Sequence, residues 1–513
     1  MERSTWRHWH SDVRVSRFQL IAVCVISFFV AKWMLDATKS KLRRLGLARK
    51  FGCEAIKSYY QLDRRLGLLF LYNNINNFRA RKFLESWDHY LTTTGKTFGF
   101  WVLGQRMMVT TDPENVKTLL ATSFDDFEKG PELRAAFSLL TGDGIFAVDG
   151  KQWHWARTLL RPSFTKSEMS NTQLFEAHYQ SLLRVLPADG VAVDLQGLFS
   201  RLTMDTATDL LFGSSMNSLE HPDSYETSNF ASSCEIALGA VFRDVSIGSL
   251  RKIVYRRRSR EAREGIYKVI DQRIQEALQR KDKSQGNTKR HVFIDHLMES
   301  TRDPSILRDQ SVSALLGGRE TTASLLSNLL HTLARKPDIW DDLREEVLSL
   351  KDRTLDQESC KEAVYLSHCV KESLRLHPVI PINVRWCNKD TVLPRGGGPS
   401  GASPILVPKG TQVYMALYSM HRDPNTYGDD AHEFRPERWD DLKPGWNYVP
   451  FSGGPRMCVG QQLALTEATY TMLRLLQSFK AIEAADEEPW RENLSIAMSS
   501  ASGCKVRLYR ARE

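Results

Sequence analysis

The sequence predicts a mainly α protein with small β-sheets and a helical membrane anchor at its N-terminus. Three observations carry that class. Most of residues 113–380 keep a helical period, and Arg17 to Leu35 is apolar but for a few residues. Two short regions, about 95–112 and Pro381 to Val413, carry strand formers broken by Gly and Pro. No internal repeat or low-complexity segment divides the chain, so residues 61–513 read as one large body.

In chain order, residues 1–17 form a flank with Arg3, Arg7, Arg14 and Arg17, residues 18–35 the anchor, and residues 36–60 a basic linker. The anchor reaches the roughly 20 residues of a span once Lys32 snorkels to the interface. No A-x-A cleavage site closes it, which favours a retained anchor over a signal peptide. Lys39, Lys41, Arg43, Arg44, Arg49 and Lys50 favour a cytoplasmic location for the body, while a helix lying on the membrane surface is the alternative. No proline precedes Pro113, so a proline hinge between anchor and body is missing. Residues 95–112 alternate as a hairpin, Asp112-Pro-Glu-Asn-Val starts a helix, and Gly396-Gly-Gly398 reads as a loop. As a phosphate cradle that run is weak, because no helix with a Lys comes after it.

Composition narrows the function. Hydrophobic content of 42% and charged content of 26% are ordinary for a globular protein, and a net charge of +9 favours acidic partners or an anionic membrane. No zinc-finger or RNA-binding signature is present, so no nucleic-acid partner is expected. The eight cysteines are scattered without a C-x-x-C pair, which argues for a reducing compartment and against a disulfide framework.

Cys458 is the chemical centre. Gly453, Gly454 and Gly460 surround it, and an apolar helical pattern runs from Gln461 to Phe479. A cysteine on a glycine-rich turn before a helix meets backbone N–H groups and positive dipole, which favour a thiolate. Arg456 adds positive charge two residues before. A thiolate so placed is a good axial ligand for haem iron; a buried structural cysteine is the plainer alternative. Phe451, Gly454, Arg456, Cys458 and Gly460 complete F-x-x-G-x-R-x-C-x-G, with Ala464 after them. Here the sequence resembles the cytochrome P-450 superfamily of haem-thiolate monooxygenases. The resemblance implies the cytochrome P-450 fold and haem b ligated through Cys458.

Three further stretches support it. Trp153 and Arg157, four apart, share a helix face and suit a haem propionate. They also resemble the family's propionate-binding helix, and Arg385 and Arg456 are further propionate candidates. Trp386, after Arg385, departs from the family pattern. Leu315-Leu-Gly-Gly-Arg-Glu-Thr-Thr places two glycines inside a helix, each costing about 1 kcal/mol against alanine. Gly317 and Gly318 leave room for dioxygen, and Glu320 and Thr321 supply proton-transfer groups; a helix kink with Thr321 bonded back to its own turn is the structural alternative. The stretch resembles the family's oxygen-activation helix, and Arg319 is expected to point off that face. Glu372 and Arg375, three apart, match the family's E-x-x-R pair, and Arg438 its third partner; these are structural.

The resemblance implies oxygen insertion driven by electrons from an NADPH–cytochrome reductase, with cytochrome b5 as a possible second donor. It implies a single-pass anchor in the endoplasmic reticulum with a cytosolic catalytic domain. Phe124 to Gly130, Gly144 to Gly150, Leu307 to Gln310, Thr391 to Pro399 and Met420 to Pro424 resemble the fungal alkane and fatty-acid hydroxylases. That branch implies a long-chain aliphatic substrate, with the segment before Gly144, Val379 to Asn383 and Met498 to Ala501 as pocket candidates. A fungal secondary-metabolite tailoring oxidase would present the same motifs. A haem-thiolate isomerase or dehydratase, or a haem carrier, is disfavoured by the intact Glu320-Thr321.

Overall fold

A computed structural model describes residues 17–63, 65–164, 172–248, 256–283, 292–350 and 357–511, so the flank before Arg17 lies outside the described residues. The described helices include α1 (Arg17–Lys50), α2 (Leu68–Arg79), α3 (Gly150–Leu160), α4 (Leu195–Phe212), α5 (Tyr225–Ile247), α6 (Pro304–Leu333), α7 (Val364–Leu376) and α8 (Gln461–Ser478). The mainly α class with small sheets is what the structure shows.

α6 is the central rod. Asp303 caps it by accepting the Ser305 N–H, and Pro304 starts it. Most of its residues are buried, so it carries no single polar stripe. Two of its buried hydroxyls bond back into the helix: Ser313 to the Asp309 carbonyl at 2.8 Å and Ser327 to the Ala323 carbonyl at 2.6 Å. α4 packs along it, and Thr203 Oγ1 donates to the Arg319 carbonyl at 2.8 Å.

The expected hairpin is Thr97–Val102 with Gln105–Thr110, closed by Leu103 and Gly104 at φ 50° and 77°. Two left-handed residues in a two-residue loop match the strand twist. The hairpin heads a five-stranded sheet that continues through Gln412–Ala416 and Ile382–Cys387 to Phe127–Glu128. Asp112 Oδ1 accepts the Glu114 and Asn115 N–H groups, starting the helix at Pro113.

Two expectations change. The residues read as a linker from 36 to 50 continue α1 as helix, because that stretch holds no proline or paired glycine to break it. The Gly396–Gly398 run is no open loop. Its first two residues end a strand paired with Ser403–Val407. A Cβ on Gly396 would lie 2.6 Å from Thr97, and one on Gly398 2.4 Å from the Glu54 carboxylate. That carboxylate would repel a phosphate.

Candidate functional site

The cysteine loop is shaped by close contacts. Gly454 has φ +64°, and a Cβ there would lie 1.9 Å from the Leu120 carbonyl oxygen; one on Gly453 would lie 2.5 Å from Trp446. Gly460 is not crowded in this way. The Cys458 N–H donates to the Phe451 carbonyl at 3.0 Å, folding the loop back on itself. Protein atoms around the sulfur push the thiol up, while the Gly460 N–H and the Arg157 guanidinium pull it down. The residue as a whole keeps an open surface.

The charge that faces the thiol comes from Arg157, a correction to the sequence reading, which gave that part to Arg456. Arg157 Nη1 donates to the Met457 carbonyl at 2.9 Å. Arg456 turns away to Asp149 and to the Val148 carbonyl at 3.2 Å. The Trp153 ring lies beneath both, 4.5 Å from the Arg456 guanidinium and 5.7 Å from that of Arg157.

Sequence reasoning missed Lys129. It enters on the short strand Phe127–Glu128, which pairs with Ile382–Cys387. Its N–H donates to Asp149 at 3.0 Å and its Nζ to the Phe146 carbonyl at 2.9 Å. Burial, then Arg456 and Arg385, hold its amine well below the usual lysine range. Arg385 is also buried, and burial followed by Arg456 lowers it to about 10. Lys129, Arg385 and Arg456 thus crowd around one carboxylate, Asp149, and Nε of both arginines lacks a partner. An excess of buried cations is costly unless anions meet it. A cofactor bearing two carboxylates and a metal that accepts sulfur fits this set: Cys458 would hold the iron, and Lys129, Arg385 and Arg456 the propionates. No helical spacing marks Lys129, which stands in the sequence as a basic residue before a glycine within the Phe124–Gly130 stretch.

On α6, Thr321 Oγ1 donates to the Gly317 carbonyl at 2.6 Å, the bond its structural alternative called for. Glu320 pairs with Arg319, which is buried and whose carbonyl accepts from Thr203 of α4. A Cβ on Gly317 would meet the Phe146 ring at 3.5 Å and one on Gly318 the Ala207 Cβ at 3.7 Å. Both are ordinary contacts, so a methyl group would fit and packing alone does not demand the glycines. Beside Ala207, Thr206 bonds Glu467 of α8. Glu467 is 5% exposed, its Oε1 has no partner, and burial raises it to about 8. It too escaped the sequence reading, although a lone acid inside an apolar helical run is a visible signal.

Glu372 and Arg375 are fully buried and paired through two bonds of 2.8 Å. Glu372 also accepts Arg438 Nε at 2.9 Å, Trp439 Nε1 at 3.0 Å and the Arg435 N–H at 3.0 Å. The stretches that resemble the fungal hydroxylases meet in space. A Cβ on Gly144 would lie 2.8 Å from the Asp309 carbonyl oxygen, and Thr391 Oγ1 donates to Asp126 at 2.6 Å. The pocket candidates Val379 and Met498 are joined by a backbone bond of 2.8 Å, next to Asn328 of α6.

Comparison with known proteins agrees with this geometry. The family model described as cytochrome P450 matches residues 66–503. The cytochrome P450 monooxygenase himC of Aspergillus japonicus is 39% identical over 469 residues, 89% of this chain and 84% of its own. Cytochrome P450 52A12 of Debaryomyces hansenii is 39% identical over 490 residues, 90% of this chain and 93% of its own. The cytochrome P450 monooxygenase fsdH of Fusarium heterosporum is 34% identical over 518 residues, 98% of this chain and 91% of its own. The chain with the Cys458 loop, the buried cation set and the α6 glycines therefore belongs to the cytochrome P450 family, the oxidoreductases that work with thiolate-ligated haem and electrons passed on from NADPH.

Proposed function

We propose that this monooxygenase hydroxylates a long aliphatic substrate at or near its terminus, and that α1 anchors it by a single pass in the endoplasmic reticulum with its body in the cytosol. The observation that carries the substrate reading is the apolar lining along α6, from its glycines to Asn328. Phe146 reaches Gly317, Phe137 lies 5.9 Å behind it, and Val379 and Met498 are buried. The resemblance of five framework stretches to alkane and fatty-acid hydroxylases points the same way.

The overall reaction is R–H + O2 + NADPH + H+ giving R–OH + H2O + NADP+. Bound haem supplies the activation of dioxygen. The protein's residues hold and feed it. Cys458 gives its sulfur, and Gly460 N–H with Arg157 steadies the negative charge. Lys129, Arg385 and Arg456, together with Trp153 and Arg157, would receive the haem's two carboxylates. Thr321 Oγ1 would hold a proton for the reaction and Glu320, which Arg319 holds in place, would resupply it. Trp155 and Met457, 46% and 43% exposed beside the cysteine loop, with exposed Lys151 and Arg161, suit the acidic face of a reductase or of cytochrome b5.

Relatives of similar identity carry different names, so a shared framework reaches further than one substrate; a secondary-metabolite tailoring role is the second reading. A binding screen of alkanes, fatty acids and polyketides, read by the haem spin-state shift, separates the two. Alkanes or fatty acids shifting the spin state at the lowest concentration support the proposal, and polyketides doing so would replace it.

A further inference from the structure

The helix Gly130–Thr141 carries a glutamate with no local task. Glu132 stands in its first turn, three residues after Lys129, which precedes the helix. From there a glutamate ordinarily reaches back to the N–H of the residue before the helix. Here that N–H already donates to Asp149 at 3.0 Å. Glu132 Oε2 is shut off from solvent and has no hydrogen-bond partner among the described residues. A buried acceptor left unmet is costly, and the helix dipole offsets only part of that cost.

The neighbours show what this oxygen faces. Gly130 packs on Trp386. Val384 pairs with Tyr414, and Trp386 and Met107 pair with Gln412, so one face of the five-stranded sheet presents Trp386, Val384, Ile382, Tyr414, Gln412 and Met107. Burial, followed by the Glu132 charge, raises Tyr414 to about 12, which places Glu132 beside this face. The Trp87 and Phe100 rings lie 5.7 and 6.1 Å from that of Tyr414, yet Met107, Ile382, Val384 and Tyr414 stay half-buried. The sheet face is therefore incompletely covered where the helix begins. Five residues on, about 8 Å along the helix, Phe137 lies 5.9 Å from Phe146, whose ring meets Gly317 of α6. One helix thus joins a polar pole to the wall of the oxygen side.

The pole is one-sided in its chemistry. The Tyr414 hydroxyl donates to Gln412 Oε1 at 2.8 Å, so its proton is spent and its oxygen, like Glu132, accepts. The two cations nearest in sequence face elsewhere: Lys129 Nζ donates to the Phe146 carbonyl, and Arg134 turns to Asp143 and Gln152. A hydroxyl would donate to Glu132 Oε2, whereas a carboxylate would meet like charge with no cation to offset it.

The geometry points to Glu132 as a specificity-determining residue: beside Tyr414 and Gln412 it receives the hydroxyl head of a long-chain alcohol whose far end reaches α6, and it turns away the carboxylate of the matching fatty acid. This rests on the aliphatic reading above and names the head group within it. The test titrates the full-length, haem-loaded protein with dodecanol, dodecanoic acid and dodecane, read by the haem spin-state shift. Wild type is expected to bind the alcohol several-fold more tightly than the acid. Glu132→Gln is expected to tighten the acid several-fold, and Glu132→Leu to weaken the alcohol several-fold. Arg134→Gln, a charge change on the same helix, is expected to alter neither. An acid bound as tightly as the alcohol by wild type, or unmoved in Glu132→Gln, overturns the head-group assignment while dodecane binding upholds the aliphatic reading. A change in acid binding as large in Arg134→Gln means that the charge of the whole helix acts, and also overturns the role of Glu132. No spin-state shift with any of the three ligands overturns the aliphatic reading itself.

Discussion

Trp386 leans on Gly130 so closely that a Cβ on Gly130 would lie 2.5 Å from the Trp386 Cβ. Gly130 also has φ +83°. The tryptophan that departs from the family pattern thus wedges the strand that delivers Lys129. Gly130→Ala would add about 1–2 kcal/mol of left-handed strain to the clash. The expected result is a lower melting temperature and a smaller fraction of haem-loaded protein, read by calorimetry and Soret absorbance. Wild-type values for both would refute the wedge.

Lys129 should act through charge. Lys129→Met is expected to release haem to an apo-globin acceptor several-fold faster than wild type, and Lys129→Arg to restore most of the difference. Equal release from all three proteins would remove Lys129 from the propionate set.

Thr321→Ala should keep haem and fold, since it loses one bond to the Gly317 carbonyl. Product formed per NADPH is expected to fall several-fold, with peroxide making up the lost electrons. Unchanged coupling would show that Thr321 only braces its helix.

Glu467 sets a pH dependence. An unfolded glutamate titrates near about 4.3, and burial raises Glu467 to about 8. The folded state keeps a proton that the unfolded chain gives up, so this stability is complete below about pH 4 and is lost as pH rises through about 8. Denaturant melts of Glu467→Gln should lack that decline, which in wild type amounts to a few kcal/mol, on the order of the pKa displacement. Parallel pH profiles for the two proteins would contradict it.

Glu372→Leu leaves Arg375 and Arg438, 0% and 6% exposed, without their shared carboxylate. Stranding buried cations costs about 3–5 kcal/mol. The variant is expected to accumulate as unfolded or haem-free protein. A wild-type melting temperature would contradict it.

Much of this was legible in the residues. Local chemistry announces itself: the Leu103–Gly104 turn, the Asp112 cap, the Cys458 turn and the Glu372–Arg375 spacing all act within a few positions. What stayed hidden depends on distant contacts. Lys129 becomes part of the site only because Phe127–Glu128 pairs with the strand bearing Arg385 and Trp386. Arg157 supplies the charge beside the thiol that Arg456 was expected to supply, because Asp149, fixed at the start of α3, draws Arg456 away. The Gly396 run reads as a loop until Thr97 and Glu54 are packed on it. The stretch from 36 to 50, read as linker, is helical because its helix propensity is unopposed.

The central claim is that Cys458 supplies the thiolate of a haem centre, and the carbon monoxide difference spectrum of the reduced protein tests it most directly. Wild type should show the long-wavelength Soret band of thiolate-ligated haem, and Cys458→Ala should lose it. Absence of the band in haem-loaded wild type, or its survival in Cys458→Ala, would contradict the account.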